Sequence, residues 1–87
     1  MSLTDEKVDE ALEAVLTSRQ VKVARVIADT SARLVESGYL SAGEQYDEGA
    51  MLRIEKRLLA LAEGKRIVVF GNLQDWRHCE VKLNDQN

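Results

Sequence analysis

The fold is decided by the stretch LLALAEGKRIVVFGN, residues 58–72, in which the spacing of the apolar residues changes. Up to Ala62 the apolar residues recur at helical spacing, and Gly64 stands where a helix commonly ends. Residues 66–70 are then short, β-branched and apolar, which is typical of a strand. A Gly-Asn pair follows as a turn signal. The stretch therefore predicts a helix that leads directly into a β-hairpin.

The second strand of the hairpin is predicted over residues 76–83, because the side chains there alternate between two faces. One face holds Arg77, Cys79, Val81 and Leu83, and the other holds Trp76, His78, Glu80 and Lys82. About five residues separate the two strands, which predicts that they pair as an antiparallel hairpin.

Three helices are predicted before the hairpin, from apolar residues that recur every three or four positions. The first covers about residues 5–16, the second about residues 18–37 and the third about residues 47–63. In the third helix, Leu52 and Leu59 are expected alongside the buried face. In the first helix, the acids expected on the solvated side are Asp5, Asp9 and Glu13.

The predicted architecture is α+β, with three helices followed by a C-terminal antiparallel β-hairpin in a single domain that covers residues 1–87. This order resembles a winged helix, in which the hairpin is the wing and the helix before it is the third of a bundle. The join from Leu58 to Ile67 is similar to the common winged-helix join, where the third helix ends on a leucine pair and a glycine. The resemblance implies a winged-helix-like fold.

A second resemblance rests on the end of the chain, strongest over residues 53–83. The segments that carry it are RLLALAEG at 57–64, Ile67, GN at 71–72, WR at 76–77 and CEVKL at 79–83. They are similar to the last third of an uncharacterised bacterial family, designated domain of unknown function 3658. Lys82 stands where the terminal strand of that family often has arginine. The resemblance implies a helix-rich fold with a hairpin and supplies no activity.

Composition limits the classes of protein to which the chain can belong. It has 87 residues, of which 45% are hydrophobic, and a net charge of −3. Cys79 is the only cysteine, so an intrachain disulfide and a thiolate-based zinc site are excluded. No apolar run approaches the roughly 20 residues that span a bilayer, and the first residues lack the pattern of a signal peptide. We therefore predict a cytoplasmic protein without membrane contact, in which dimerisation would add buried area.

Basic residues in the third helix and the hairpin indicate an interaction surface. The predicted set is Arg53, Lys56, Arg57, Lys65, Arg66, Trp76, Arg77 and His78. In a winged helix, the third helix would enter the major groove of DNA and the wing would touch the backbone. Acids in the same helical segment would repel phosphate, so nucleic-acid binding is disfavoured and kept as the alternative. These acids are Asp47, Glu48, Glu55 and Glu63.

No arrangement of residues in the sequence indicates catalysis. His78 is the only histidine, and it is predicted on the strand face opposite to Cys79, which separates a thiol from its base. Cys79 is expected to be a small buried hydrophobic residue. Trp76 is either an exposed anchor for a partner or, the favoured interpretation, packs across the hairpin on Val69 or Ile67.

The leading hypothesis is a non-enzymatic protein-interaction or regulatory module with an unidentified protein partner. It assigns no catalytic, cofactor-binding or metal-binding residues, and no cofactor. The exposed edge of the hairpin invites pairing, which predicts a homodimer. The alternative is a weak winged-helix DNA-binding regulator that uses the third helix and the wing.

Overall fold

The computed structural model describes residues 3–45 and 47–84 of the chain. In chain order its elements are α1 (Asp5–Val15), β1 (Val21–Lys22), α2 (Val23–Glu36), α3 (Glu48–Glu63), β2 (Ile67–Phe70) and β3 (Glu80–Leu83). A 3₁₀ turn, Ala42–Glu44, lies between α2 and α3. The predicted α+β fold, with three helices and a C-terminal antiparallel hairpin, is confirmed.

Side-chain caps fix where α1 and α3 begin. The hydroxyl of Thr4 accepts a hydrogen bond from the N–H of Lys7 at 3.3 Å, and the carboxylate of Asp47 accepts one from the N–H of Ala50 at 3.2 Å. Each cap satisfies an N–H group that has no partner inside its helix. The starts of these two helices therefore agree with the sequence prediction to within one residue.

The predicted start of the second helix at residue 18 is wrong, because α2 begins at Val23. No side chain caps this helix. Its first N–H groups bond instead to the hairpin, since Val23 donates to the carbonyl of Cys79 at 2.8 Å and Ala24 donates to that of Trp76 at 3.2 Å. Backbone partners from a distant segment thus decide where α2 starts, and they tie the hairpin to the helices.

The sequence prediction missed β1, which enlarges the hairpin to a three-stranded antiparallel sheet. Val21 of β1 lies opposite Val81 of β3, and Ile67 of β2 lies opposite Leu83 of β3. The strand order is β1-β3-β2. This order, with one strand between the first two helices and β3 in the centre, is consistent with the winged-helix-like arrangement.

The second strand of the hairpin is shorter than predicted, because β3 begins at Glu80 and not at residue 76. Residues 76–78 form a turn, in which the N–H of His78 donates to the carbonyl of Asp75 at 3.1 Å. The carbonyl of Trp76 accepts its hydrogen bond from Ala24 of α2, so this segment does not pair with β2 as part of the strand. The predicted alternation of faces therefore applies only to residues 80–83.

The core lies where the three helices meet the inner face of the sheet. Fully buried side chains come from each of these elements: Val8, Leu12, Val23, Val26, Ile27, Leu34, Ile54, Leu58, Cys79 and Val81. The prediction that Cys79 is a small buried residue is confirmed. With Ile54 and Leu58 directed inward, the opposite side of α3 is left to face solvent.

Candidate interaction surface

The outward side of α3, which we call the α3 face, consists of the exposed residues Glu48, Leu52, Lys56, Leu59 and Glu63. Leu52 is 42% exposed and Leu59 is 49% exposed. The expectation that these two leucines lie alongside the buried face is wrong. Successive helical residues turn by about 100°, which places Leu52 and Leu59 opposite the buried Ile54 and Leu61.

Three of the predicted contact residues form ion pairs with acids of α1. Arg57 makes the closest pair, because its Nε and Nη2 atoms each donate to one carboxylate oxygen of Asp9 at 2.8 Å. Arg53 lies 3.5 Å from a carboxylate oxygen of Asp5. Arg66 lies 3.1 Å from one of Glu13. Half of the six predicted bases are therefore paired with acids of α1, although Arg66 remains exposed.

The helical spacing of the acids in α1 explains this arrangement. Asp5, Asp9 and Glu13 recur every four residues and so form one row along α1. The hydrogen bonds from Asp9 raise the pKa of the Arg57 guanidinium above its ordinary value. A two-pronged arginine–carboxylate contact is the most geometrically specific form of ion pair. Asp5 and Glu13 are exposed, as predicted for this side of α1, while the half-buried Asp9 is held by Arg57 of α3.

Trp76 is held in place by α3 and is not a free anchor. Its indole Nε1–H donates to Oε1 of Glu55 at 2.6 Å. The ring is half-buried and packs against the core. The favoured interpretation, that the ring packs inside the protein, agrees with the structure. The predicted cross-strand contact does not, because Trp76 lies in a turn and not on a strand.

The remaining predicted contact residues are exposed and lie apart from the row of ion pairs. Lys65 follows α3 in a left-handed backbone conformation, with φ of 60°. Arg77 and His78 lie in the turn before β3, where Nδ1 of His78 is 3.1 Å from both carboxylate oxygens of Asp75. This pair is open to solvent.

A groove of about 700 Å³ lies between α3 and the hairpin. Leu59 and Ala62 line it from α3, and Val69 and Leu73 line it from the hairpin. Lys56 also lines the groove and has no ion pair among the residues that the structure describes. The groove is therefore a mainly apolar surface that also carries one unpaired cation, Lys56, and one acid, Glu55, which accepts the hydrogen bond of Trp76. Leu59, which lies off the buried stripe of α3, is the sequence signal for the groove, whereas Leu52 does not line it.

Burial raises the pKa of the Cys79 thiol, and the nearby charges of Asp75 and Glu80 act in the same direction. The native thiol should therefore react with a disulfide reagent at least about a hundredfold more slowly than an exposed cysteine at mildly alkaline pH. The matched control is Arg33→Cys on the exposed side of α2, measured in the same protein. Equal rates for the two thiols would contradict the burial of Cys79.

The described residues contain no cluster of three or more His, Cys, Asp or Glu side chains placed to hold a metal ion. In the same part of the chain, no helix combines the length and the apolar character that crossing a bilayer requires. Comparison with protein-family models, with curated proteins and with solved structures found no match. The function must therefore be argued from the surface.

Proposed function

We propose that this protein is a non-enzymatic interaction module that acts by contact with another protein through the α3 face and the groove beside it. One observation carries the proposal. Leu52 and Leu59 occupy the outward side of α3, while Arg53 and Arg57 are paired with acids of α1. An exposed leucine that lines a mainly apolar groove, as Leu59 does, is typical of protein-binding surfaces.

DNA binding by the winged-helix-like elements is the alternative function. A helix that reads DNA presents bases to the phosphates and to the base edges. The α3 face instead presents two acids, Glu48 and Glu63, and one base, Lys56. The observation in favour of the alternative is the order of the elements, together with the exposed Lys65 and Arg77. The excess of acids on the α3 face argues more strongly against DNA binding than these features argue for it.

The finer parts of the hypothesis remain proposals. We infer a regulatory role in the cytoplasm from the small size and the lack of a catalytic arrangement in the described residues. The similarity of residues 53–83 to the uncharacterised bacterial family remains a prediction. It supplies no activity, so the proposal does not depend on it.

Titration of a labelled random duplex in a salt series tests the proposed function. We expect no salt-dependent association of the wild-type protein at low ionic strength. Any dissociation constant should exceed about 100 µM, which is the weak end of the range for non-specific DNA binders. The double variant Asp5→Asn and Asp9→Asn frees Arg53 and Arg57. It should gain weak binding whose affinity falls as salt rises.

The matched control is Glu6→Gln with Glu36→Gln, which makes the same change in net charge at exposed acids that pair with no base of α3. It should not gain binding. Circular dichroism confirms that each variant is folded. Salt-dependent binding by the wild-type protein would contradict the proposal and establish the DNA-binding alternative.

A further inference from the structure

The outer edge of β2 is open among the residues that the structure describes. β3 lies in the centre of the sheet, so β2 is an edge strand with a neighbour on one side only. An unprotected edge presents N–H and C=O groups that can pair with another strand. What could pair there depends on which residues direct those groups outward.

The hydrogen bonds at the ends of the ladder settle this question. The N–H of Asn84 donates to the carbonyl of Arg66 at 3.0 Å, whereas the N–H of Leu83 donates to Thr17 on the other side at 2.8 Å. Because backbone direction alternates along an antiparallel pair, Val68 and Phe70 direct their N–H and C=O groups toward β3. Those of Ile67 and Val69 therefore point away from β3, toward the open edge.

Apart from its short length, the edge carries none of the features that usually prevent pairing. Ile67–Phe70 contains no proline, no charge and no bulge. Phe70 is 38% exposed on the outer face of the sheet, beside the half-buried Val68. Phe70 and Val68 thus form a small apolar patch on the outer face, next to the open edge.

The groove adjoins the same edge, since Val69 belongs to both. A strand that pairs with Val69 therefore approaches Leu59 and Leu73 at the same time. Pairing of the edge and covering of the groove are thus one event, and a single partner can accomplish both.

We propose that a second copy of this chain occupies the edge, with the two β2 strands antiparallel and Val69 opposite Val69. This inference rests on the proposed function and names its partner. In this register Val68 of each copy lies opposite Phe70 of the other, so the pair occurs twice. A β-branched side chain opposite an aromatic one is a favourable cross-strand pair. Arg66 comes opposite Asn72, so no like charges face each other across the strands. The product is a six-stranded sheet with two-fold symmetry.

Sedimentation equilibrium across a concentration series tests the dimer. We expect the wild-type protein to dimerise with a dissociation constant on the order of 10 µM, as for a small interface. Val69→Pro removes an N–H that β3 does not use, so it should block the dimer without breaking the ladder. Phe70→Ser should weaken the dimer at least about tenfold. Arg33→Ser, on the exposed surface of α2, should leave it unchanged.

Cysteine cross-linking tests the register. Opposite residues of a hydrogen-bonded antiparallel pair have Cα atoms about 5.5 Å apart, which a disulfide can bridge. Val69→Cys should therefore form a covalent dimer on mild oxidation. Val68→Cys should not, because its two copies lie more than about 7 Å apart in this register. Wild-type protein, in which Cys79 is buried, gives the background.

A protein that stays monomeric at all concentrations and does not cross-link at residue 69 overturns this inference. That result leaves the proposed function standing, because the DNA titration decides the latter separately. Cross-linking at residue 68 in place of residue 69 overturns the register. A dimer that survives both Val69→Pro and Phe70→Ser, with both variants folded, places the contact elsewhere and overturns the inference as well.

Discussion

Leu58→Ala is expected to lower the free energy of unfolding by about 2–5 kcal/mol. Leu58 is fully buried, and it joins α3 to the core that α1, α2 and the sheet share. Truncation removes apolar contacts and leaves a cavity that the surrounding helices fill only in part. Each kcal/mol lowers Tm by about 4–8 °C in a domain of this size. Urea unfolding followed by circular dichroism measures the loss.

The adjacent residue supplies a control of the same type in the same helix. Leu59 is 49% exposed, so Leu59→Ala should change the free energy of unfolding by no more than about 0.5 kcal/mol. The pair thus reports which side of α3 faces the core. Similar losses for the two variants would mean that α3 is rotated, and the α3 face would then have no basis as a binding surface.

The residues around this helix also show why the fold could be predicted from the sequence. In residues 58–72 the change from helical to strand spacing, the glycine after the helix and the turn after the strand are all local signals. The caps Thr4 and Asp47 are local as well, because each bonds to an N–H three residues away. Where local signals agree with one another, the predicted elements agree with the structure.

The elements that were missed depend on contacts between distant parts of the chain. Val21 and Lys22 lie in a segment with helical spacing, yet they form β1 because Val81 and Glu80 pair with them. Contacts with the same segment also move the start of α2 to Val23, because the first N–H groups of the helix bond to the carbonyls of Cys79 and Trp76. A propensity of a few tenths of a kcal/mol per residue is readily outweighed by such pairing.

The candidate surface was predicted only in part, for a similar reason. Arg57 and Asp9 are 48 positions apart, so no local sequence pattern can predict their ion pair. The row of acids in α1 was visible in the sequence, and its four-residue spacing matched the bases of α3. The two rows could have been combined only with the knowledge that α1 packs against α3. Leu59, by contrast, could have been placed outward from the helical spacing alone.

Gly71→Ala is expected to lower the free energy of unfolding by about 1–3 kcal/mol. Gly71 directly follows β2 and has φ of +113°, a conformation that residues with a Cβ rarely adopt. An added Cβ would lie 3.1 Å from the carbonyl oxygen of His78 and 3.4 Å from Cα of Cys79. Both neighbours are backbone atoms in the segment that caps α2, so relief of the contact would disturb that cap. Thermal unfolding measures the loss.

Gly43→Ala is the matched control, because a Cβ at that position meets nothing within 4 Å. It should be neutral or should stabilise the protein by up to about 1 kcal/mol, through a less flexible unfolded chain. Equal losses at the two glycines would contradict the close approach of the chain after β2 to the segment before β3. A loss of stability confined to Gly71 would support this close approach.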